Sequence, residues 1–289
     1  GRNRRSRRQN PLPAPRSTAL ATLPHMATTI TVLSQKGGTG KTTVVRTLAE
    51  IFRRIELPTL CIDLDPQGNL SDYFDVPPDA APTVAELLTG SVSASKAIYE
   101  PADVIPANLA LAEAELALAG KIGRERALRK ALSRLPDRYE LVLIDCPPAL
   151  GLLTVNGLAA ADYALITAEA QYFALQGVEQ ALEVVKLAQE EVRGELELLG
   201  ILLNIADLRT VHSREALTRL RERYGQQVFS TVIRSSIAYA ESAERGVPII
   251  DLRADLGADY IALAREVLQR LGMGKVVRRL RSLQEATTG

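Results

Sequence analysis

Tryptophan is absent from this 289-residue chain and aromatic residues make up only 4% of it, so packing falls to Leu, Val, Ile and Ala. Cysteine is nearly absent too. Cys61 and Cys146 are far apart, each in or beside an apolar run, which reads as two buried reduced thiols and excludes a paired-Cys zinc or iron–sulfur site. The two histidines, His25 and His212, are isolated, so no His cluster for a metal and no Ser–His pair for nucleophilic hydrolysis is visible. No stretch approaches the roughly 18 uninterrupted apolar residues of a membrane span. The opening segment lacks the apolar middle of a secretory signal.

What is present is a core-forming composition, 46% hydrophobic, with a formal net charge of +1 that is unevenly distributed. Arg2, Arg4, Arg5, Arg7, Arg8 and Arg16 crowd an acid-free, proline-broken start, leaving the remainder slightly acidic. Residues 1–27 are therefore expected to be a basic disordered tail. Any nucleic-acid contact in the body must come from a local patch rather than a uniformly basic surface.

Beyond residue 27 the pattern alternates. Short buried strands are expected at 28–34, 59–63, 141–144, 163–167, 198–203 and 247–250. Helices are expected at 44–55, 84–88, 124–135, 154–161, 175–192, 213–224 and 256–271, where apolar residues recur at helical spacing. The proline-rich run 76–82 reads as a surface loop. This alternation predicts an α/β fold, a doubly wound and mainly parallel sheet flanked by helices. One domain is expected over 28–273, with a basic C-terminal tail over 274–289.

The strongest chemical signal follows the first strand, where Gln35-Lys36-Gly37-Gly38-Thr39-Gly40-Lys41-Thr42-Thr43 opens a helix. A strand, a glycine-rich turn and a helix in that order aim several backbone N–H groups at one point beside the positive end of the helix dipole, which traps an anion. Lys41 is placed to reach β- and γ-phosphates, Thr42 to help hold Mg²⁺, and Thr43 to lie near an α-phosphate. A glycine turn with two solvated lysines is the plainer alternative, which the flanking strand and helix argue against. The strict pattern G-x-x-x-x-G-K-[ST] wants glycine where this chain has Gln35, and Lys36 follows directly. Two further carboxylate sites end predicted strands. Asp63-Leu64-Asp65-Pro66-Gln67-Gly68-Asn69 follows the second, and Asp145, before Pro147-Pro148, ends the third. In a doubly wound sheet such ends open onto one crevice.

With these residues in view, the chain resembles the deviant Walker A ATPases, which include ParA/Soj partition proteins, MinD and the nitrogenase iron protein. The resemblance spans roughly 28–271, including 104–118, 171–182, 200–203 and 245–249. It implies a Mg²⁺-dependent ATPase, weak alone and stimulated by a partner. Lys36 matches the lysine that crosses a dimer interface to the neighbouring nucleotide. Asp65 is implied to orient the attacking water, Asp63 to stand in the metal's outer shell, and Asp145 to reach Mg²⁺ through water. The form Asp65-Pro66-Gln67-Gly68-Asn69 favours the partition branch over MinD, and the cluster-binding cysteines of the iron protein have no counterparts here.

That branch implies a homodimer formed with ATP, non-specific DNA binding released on hydrolysis, a ParB-like activator protein, and a cytoplasmic, nucleoid-associated location. The winged helix-turn-helix of some plasmid relatives is not expected ahead of Thr28. Expected DNA contacts are Arg209, Arg214, Arg219, Arg221, Arg223, Arg234, Arg245, Arg278 and Arg279, together with Arg281. The family's I-P-R-N reads Ile233-Arg234-Ser235-Ser236 here, without the proline, and Asn204 is a candidate adenine contact. Two alternatives stand beside this reading. One is a MinD-like membrane-surface switch, suggested by Val276, Val277, Leu280 and Leu283 interleaved with the basic residues of the C-terminus. The other is a cargo-positioning ATPase of the same family.

Overall fold

A computed structural model describes residues 27–171, 174–281 and 283. The expectations for residues 1–26 and His25, and for the last residues of the basic tail, lie outside these. Seven strands alternate with helices: β1 Thr28–Leu33, β2 Thr59–Asp63, β3 Val104–Ile105, β4 Leu141–Asp145, β5 Tyr163–Glu169, β6 Glu197–Ala206 and β7 Val228–Arg234. The helices, in chain order, begin with α1 Lys41–Arg54, α2 Asn69–Tyr73, α3 Val84–Thr89, α4 Ala94–Ala97, α5 Ala110–Ala119 and α6 Ala127–Leu132. They continue with α7 Leu152–Ala160, α8 Ala174–Glu191, α9 Val211–Tyr224, α10 Ala238–Glu244, α11 Ile249–Leu252, α12 Ala254–Arg270 and α13 Gly274–Val277.

The strands form one parallel sheet in the order β3-β2-β4-β1-β5-β6-β7. Successive strand side chains point to opposite faces, and both faces are buried here. Val142 and Ile144 pack with α3, α5, α7 and α8, while Leu141 and Leu143 pack with α1, α11 and α12. A sheet covered on both sides needs apolar residues at every position, which is why its strands read as continuous Val/Ile/Leu runs. The register sets Asp63 opposite Asp145, and Val32 on the other side of Asp145. The carboxyl ends of β2, β4 and β1 therefore open at one level.

Three expectations are corrected. Residues 247–250, expected as a strand, give way to α11, with Pro248 at its N-cap. A four-residue apolar run does not separate strand from helix, and only packing against α12 decides it. The expected helix 124–135 is a 3₁₀ turn at Arg124–Arg126 followed by the short α6. The expected basic tail from residue 274 is not separate as far as it is described. Leu280 is fully buried among α1 and α12, Val276, Val277 and Leu283 pack against the same cluster, and Arg279 Nη1 donates to the carbonyls of Ile55 and Glu56. Strands β3 and β7 were not anticipated. One has two residues, and the other is a sheet-edge strand whose apolar pattern is interrupted by Ser230 and Thr231. No helix among the described residues is long and apolar enough to cross a membrane.

Because Leu280 is buried, Leu280→Ala should cost roughly 2–5 kcal/mol of unfolding free energy, the usual range for such a truncation. A loosely attached tail would show less than about 0.5 kcal/mol in the same urea titration.

Candidate active site

The loop leaving β1 is shaped by two glycines in the left-handed region, Gly38 at φ 75° and Gly40 at φ 78°. Gly40 is the N-cap of α1 and offers no side chain to it, so the first-turn N–H groups face the cavity without a side-chain cap. A Cβ on Gly40 would also come within 2.3 Å of Asn204 Nδ2, so backbone angle and space both require glycine there. Ser34 holds the loop's shape. Its hydroxyl donates to the Lys36 carbonyl at 2.8 Å and accepts from Thr39 Oγ1 at 2.8 Å and Lys41 Nζ at 3.2 Å. Thr39 Oγ1 also lies 3.0 Å from Thr167 Oγ1 on β5. Lys41 is buried.

Asn204 was expected at a nucleotide base. Its Nδ2 donates to the Thr39 carbonyl at 2.8 Å, and its Oδ1 accepts from Ile205 N at 2.9 Å. Both halves of the amide are thus engaged, the nitrogen in buttressing the loop from β6 and the oxygen on the backbone of β6 itself. Ile205 itself sits at φ 53°, an uncommon conformation for a β-branched residue, on the wall of the cavity.

The carboxylates converge as the strand register requires. Thr42 Oγ1 donates to Asp145 Oδ2 at 2.6 Å, whereas Asp145 Oδ1 is buried with no hydrogen-bond partner. Asp63 is saturated: Oδ1 accepts from Asp65 N at 3.0 Å, and Oδ2 accepts from Ser71 N at 3.0 Å and Ser71 Oγ at 2.8 Å. Burial, and then the neighbouring charge of Asp63, hold the Asp145 carboxyl well above the ordinary carboxylate range, against the Thr42 hydrogen bond and Lys41. Burial raises Asp63 too, opposed by its backbone and Ser71 donors. A buried carboxylate oxygen without a donor, beside a threonine hydroxyl, fits a hard divalent cation that takes oxygen ligands. Asp63, by contrast, has both oxygens already hydrogen-bonded. Asp65 is half-buried, accepts from Gln67 N at 3.0 Å, and lines the cavity.

The cavity is about 700 Å³, and its wall includes Gly37, Gly38, Thr42, Thr43, Asp65 and Pro148. Lys36 is outside it. Its Nζ lies 3.2 Å from Glu169 Oε2 and 3.0 Å from Gln171 Oε1, and the side chain is 64% exposed. Sequence reasoning missed Arg46 and Tyr73, which also line the cavity. The signal for the first was available: Thr42, Arg46 and Glu50 recur at i, i+4 and i+8, a polar stripe on an otherwise buried helix.

The expected DNA arginines fall in two places, and most are engaged by neighbouring groups. Arg209, Arg219, Arg223, Arg234 and Arg245 each pair with an acid, respectively Asp207, Glu215, Glu179, Asp259 and Glu241. Arg214 donates to the carbonyls of Leu208 and Arg209, and Arg221 to that of Ser230. Arg278, Arg279 and Arg281 are exposed near the carboxyl end of α1, the end opposite the loop. A helix of 14 residues puts those ends roughly 20 Å apart.

Comparison with known proteins agrees with this geometry. A family model described as an AAA domain matches residues 27–198. An uncharacterized protein of Mycobacterium tuberculosis is 39% identical over 271 residues, covering 91% of this chain and 84% of the relative. The sporulation initiation inhibitor protein Soj of Bacillus subtilis is 35% identical, over 84% of this chain and 98% of Soj. Among solved structures, cobyrinic acid a,c-diamide synthase of Mycobacterium smegmatis with bound ADP and magnesium is 38% identical. That match has a TM-score of 0.69 and covers 76% of this chain and 93% of the other.

The raised Asp145 carboxyl has a consequence for stability. In nucleotide-free buffer with a chelator, the folded state holds a proton that the unfolded chain has already released above the ordinary Asp range. Stability contributed by this group is therefore lost as pH rises from that range toward the folded value. Asp145→Asn should flatten the slope of unfolding free energy against pH. An unchanged slope would show that the carboxyl titrates normally.

Proposed function

The chain belongs to the ParA/MinD family of P-loop ATPases, and from that premise we propose that it is a DNA-partition ATPase, two copies of which close on ATP, hold DNA and release it on hydrolysis. The observation that carries the reading is the uncapped glycine-loop N-terminus of α1 facing the open Asp145 oxygen at the Thr42 hydroxyl.

In this reading Lys41 and the N–H groups of Gly37, Gly38, Thr39 and Gly40 hold the β- and γ-phosphates, and Thr43 meets the α-phosphate. Thr42 and Asp145 hold Mg²⁺, with Asp63 behind them. The cation, when bound, neutralises charge on the phosphate oxygens. Asp65 orients the attacking water from the cavity wall. Lys36 leaves Glu169 and Gln171 and reaches the nucleotide of the second copy. Because the Lys36–Glu169 pair is exposed, separating it costs little.

DNA contact in this reading comes from Arg209, Arg214, Arg219, Arg221 and Arg223 on and before α9, with Arg234 and Arg245. Their acid pairs are surface pairs that phosphates can compete with. Arg278 and Arg279 fall at the far end of α1 and are left out of the patch. A dimer doubles the patch, so affinity follows the nucleotide state, and a ParB-like activator times the release. The protein works in the cytoplasm at the nucleoid. The membrane-surface alternative loses its apolar face, since Leu280 and its neighbours pack inward. Positioning a protein cargo by the same cycle differs only in the partner.

DNA binding measured with ATP, ADP and no nucleotide should be strong only with ATP. It should be insensitive to sequence and fall steeply between about 50 and 200 mM salt, as phosphate-driven binding does. Equal binding in all three states would remove the DNA cycle. Turnover that instead required cobyrinic acid would point to the chemistry named for the M. smegmatis neighbour. Lys36→Ala should bind ATP yet stay monomeric in size exclusion, and normal dimerisation of that variant would remove the crossed-lysine role.

A further inference from the structure

Arg46 lies on the second turn of α1, four residues or roughly 6 Å along the axis from Thr42, and is only 3% exposed. A buried guanidinium normally sits against a carboxylate. This one has neutral direct partners among the described contacts. Its Nη2 donates to Ser242 Oγ on α10, its Cζ stacks 3.1 Å from the centroid of the Tyr73 ring, and its Nε is buried without a hydrogen-bond partner. The phenol of Tyr73 donates in turn to Glu50 Oε1, one turn further along α1, while Glu50 Oε2 is also buried and unpartnered. Burial depresses the Arg46 pKa and raises those of Glu50 and Tyr73, consistent with a low-dielectric cluster.

Tyr73 is the last residue of α2, and that helix is the continuation of the 63–68 turn that carries Asp65. Its start is already tied down, because Asp63 accepts from both Ser71 N and Ser71 Oγ. Its end is held by the Tyr73 ring between Arg46 and Glu50, beside Phe74, over which Arg53 lies, and the buried Val76. Asp72 and Tyr73 line the same cavity as the glycine loop, and so does Ala243, beside Ser242. One side chain on the phosphate-loop helix therefore holds the end of the Asp65-bearing segment and, on its other side, α10.

We infer that Arg46 is a positioning residue for ATP hydrolysis: through its stack on Tyr73 it fixes α2, and hence Asp65, relative to the nucleotide on α1. This rests on the ATPase reading above. The effect is on the set of Asp65 rather than on nucleotide affinity, because the guanidinium, although on the cavity wall, is engaged by Tyr73 and Ser242 and its Nε is buried.

The chain has no tryptophan, so Phe74→Trp gives a reporter without background, next to Tyr73 at a ring separation of 5.4 Å. Its emission, nucleotide affinity and steady-state turnover are compared in the parent and with Arg46→Met, Arg46→Lys or Tyr73→Phe added. The expected result for Arg46→Met is an ATP affinity and KM within about 3-fold of the parent, kcat reduced at least about 10-fold, and loss of the ATP-dependent emission change. Arg46→Lys keeps the charge but not the planar stack and should show the same split. Tyr73→Phe keeps the ring and loses the Glu50 tether, so its loss of kcat should be smaller. Parent-like kcat and emission in Arg46→Lys and Tyr73→Phe would overturn the inference, even if Arg46→Met failed to fold. So would a loss confined to ATP affinity. A parent that neither binds nor turns over ATP would instead defeat the ATPase reading itself.

Discussion

A carboxylate buried in a parallel sheet is the constraint around which this molecule is organised. Asp145 lies at the end of β4, between the strands that carry the glycine loop and the Asp63–Asp65 turn, with one oxygen hydrogen-bonded to Thr42 and the other open. Removing such a group from water is unfavourable unless a positive charge answers it. Lys41 and the α1 dipole lie on the side from which that charge must come. The strain of the site is thus a demand for a cation and an anion together, which a magnesium triphosphate meets.

The elements around Asp145 are held by hydrogen bonds in which at least one partner is a neutral group, rather than by ion pairs. Ser34 gathers the loop, Asn204 braces Thr39 from β6, and Ser71 saturates Asp63. Such contacts fix geometry without cancelling the field that the ligand needs. The ion pairs lie outside this shell, on exposed arginines and at Lys36, where water weakens them and exchange for another partner costs little. Buried hydrogen bonds inside and exchangeable ion pairs outside suit a protein that would keep one nucleotide geometry while changing macromolecular partners.

Most strands and long helices were legible because a doubly covered parallel sheet writes itself as apolar runs separated by helical spacing. The failures share a cause. Residues 247–250, β3, β7 and the segment beyond 274 are short or interrupted, and their conformation depends on which surface receives them. Leu280 carries no local sign that it belongs to the core of α1 and α12. In the site, Lys41 and Thr42 at the start of α1, and Asp63, Asp65 and Asp145 at or just past strand ends, were expected near one crevice from their positions in the chain. Asn204 was placed near the loop, but its hydrogen bond to the Thr39 carbonyl was not foreseen, because nothing in the β6 sequence says that its amide faces that loop.

By itself, then, the order of residues determined the fold class, the glycine loop and the identity of the carboxylates. Each of these depends on local spacing: period two on a strand, 3.6 on a helix, and φ freedom at glycine. The tertiary structure alone decided which groups are satisfied and which are left open. Asp63 and Asp145 look alike in the chain, yet one is saturated by a turn and the other keeps an open oxygen. Arg46 became a buried clamp because α2 and α10 close over it. Burial and hydrogen-bond partners come from residues far apart in the chain, and no local pattern encodes them.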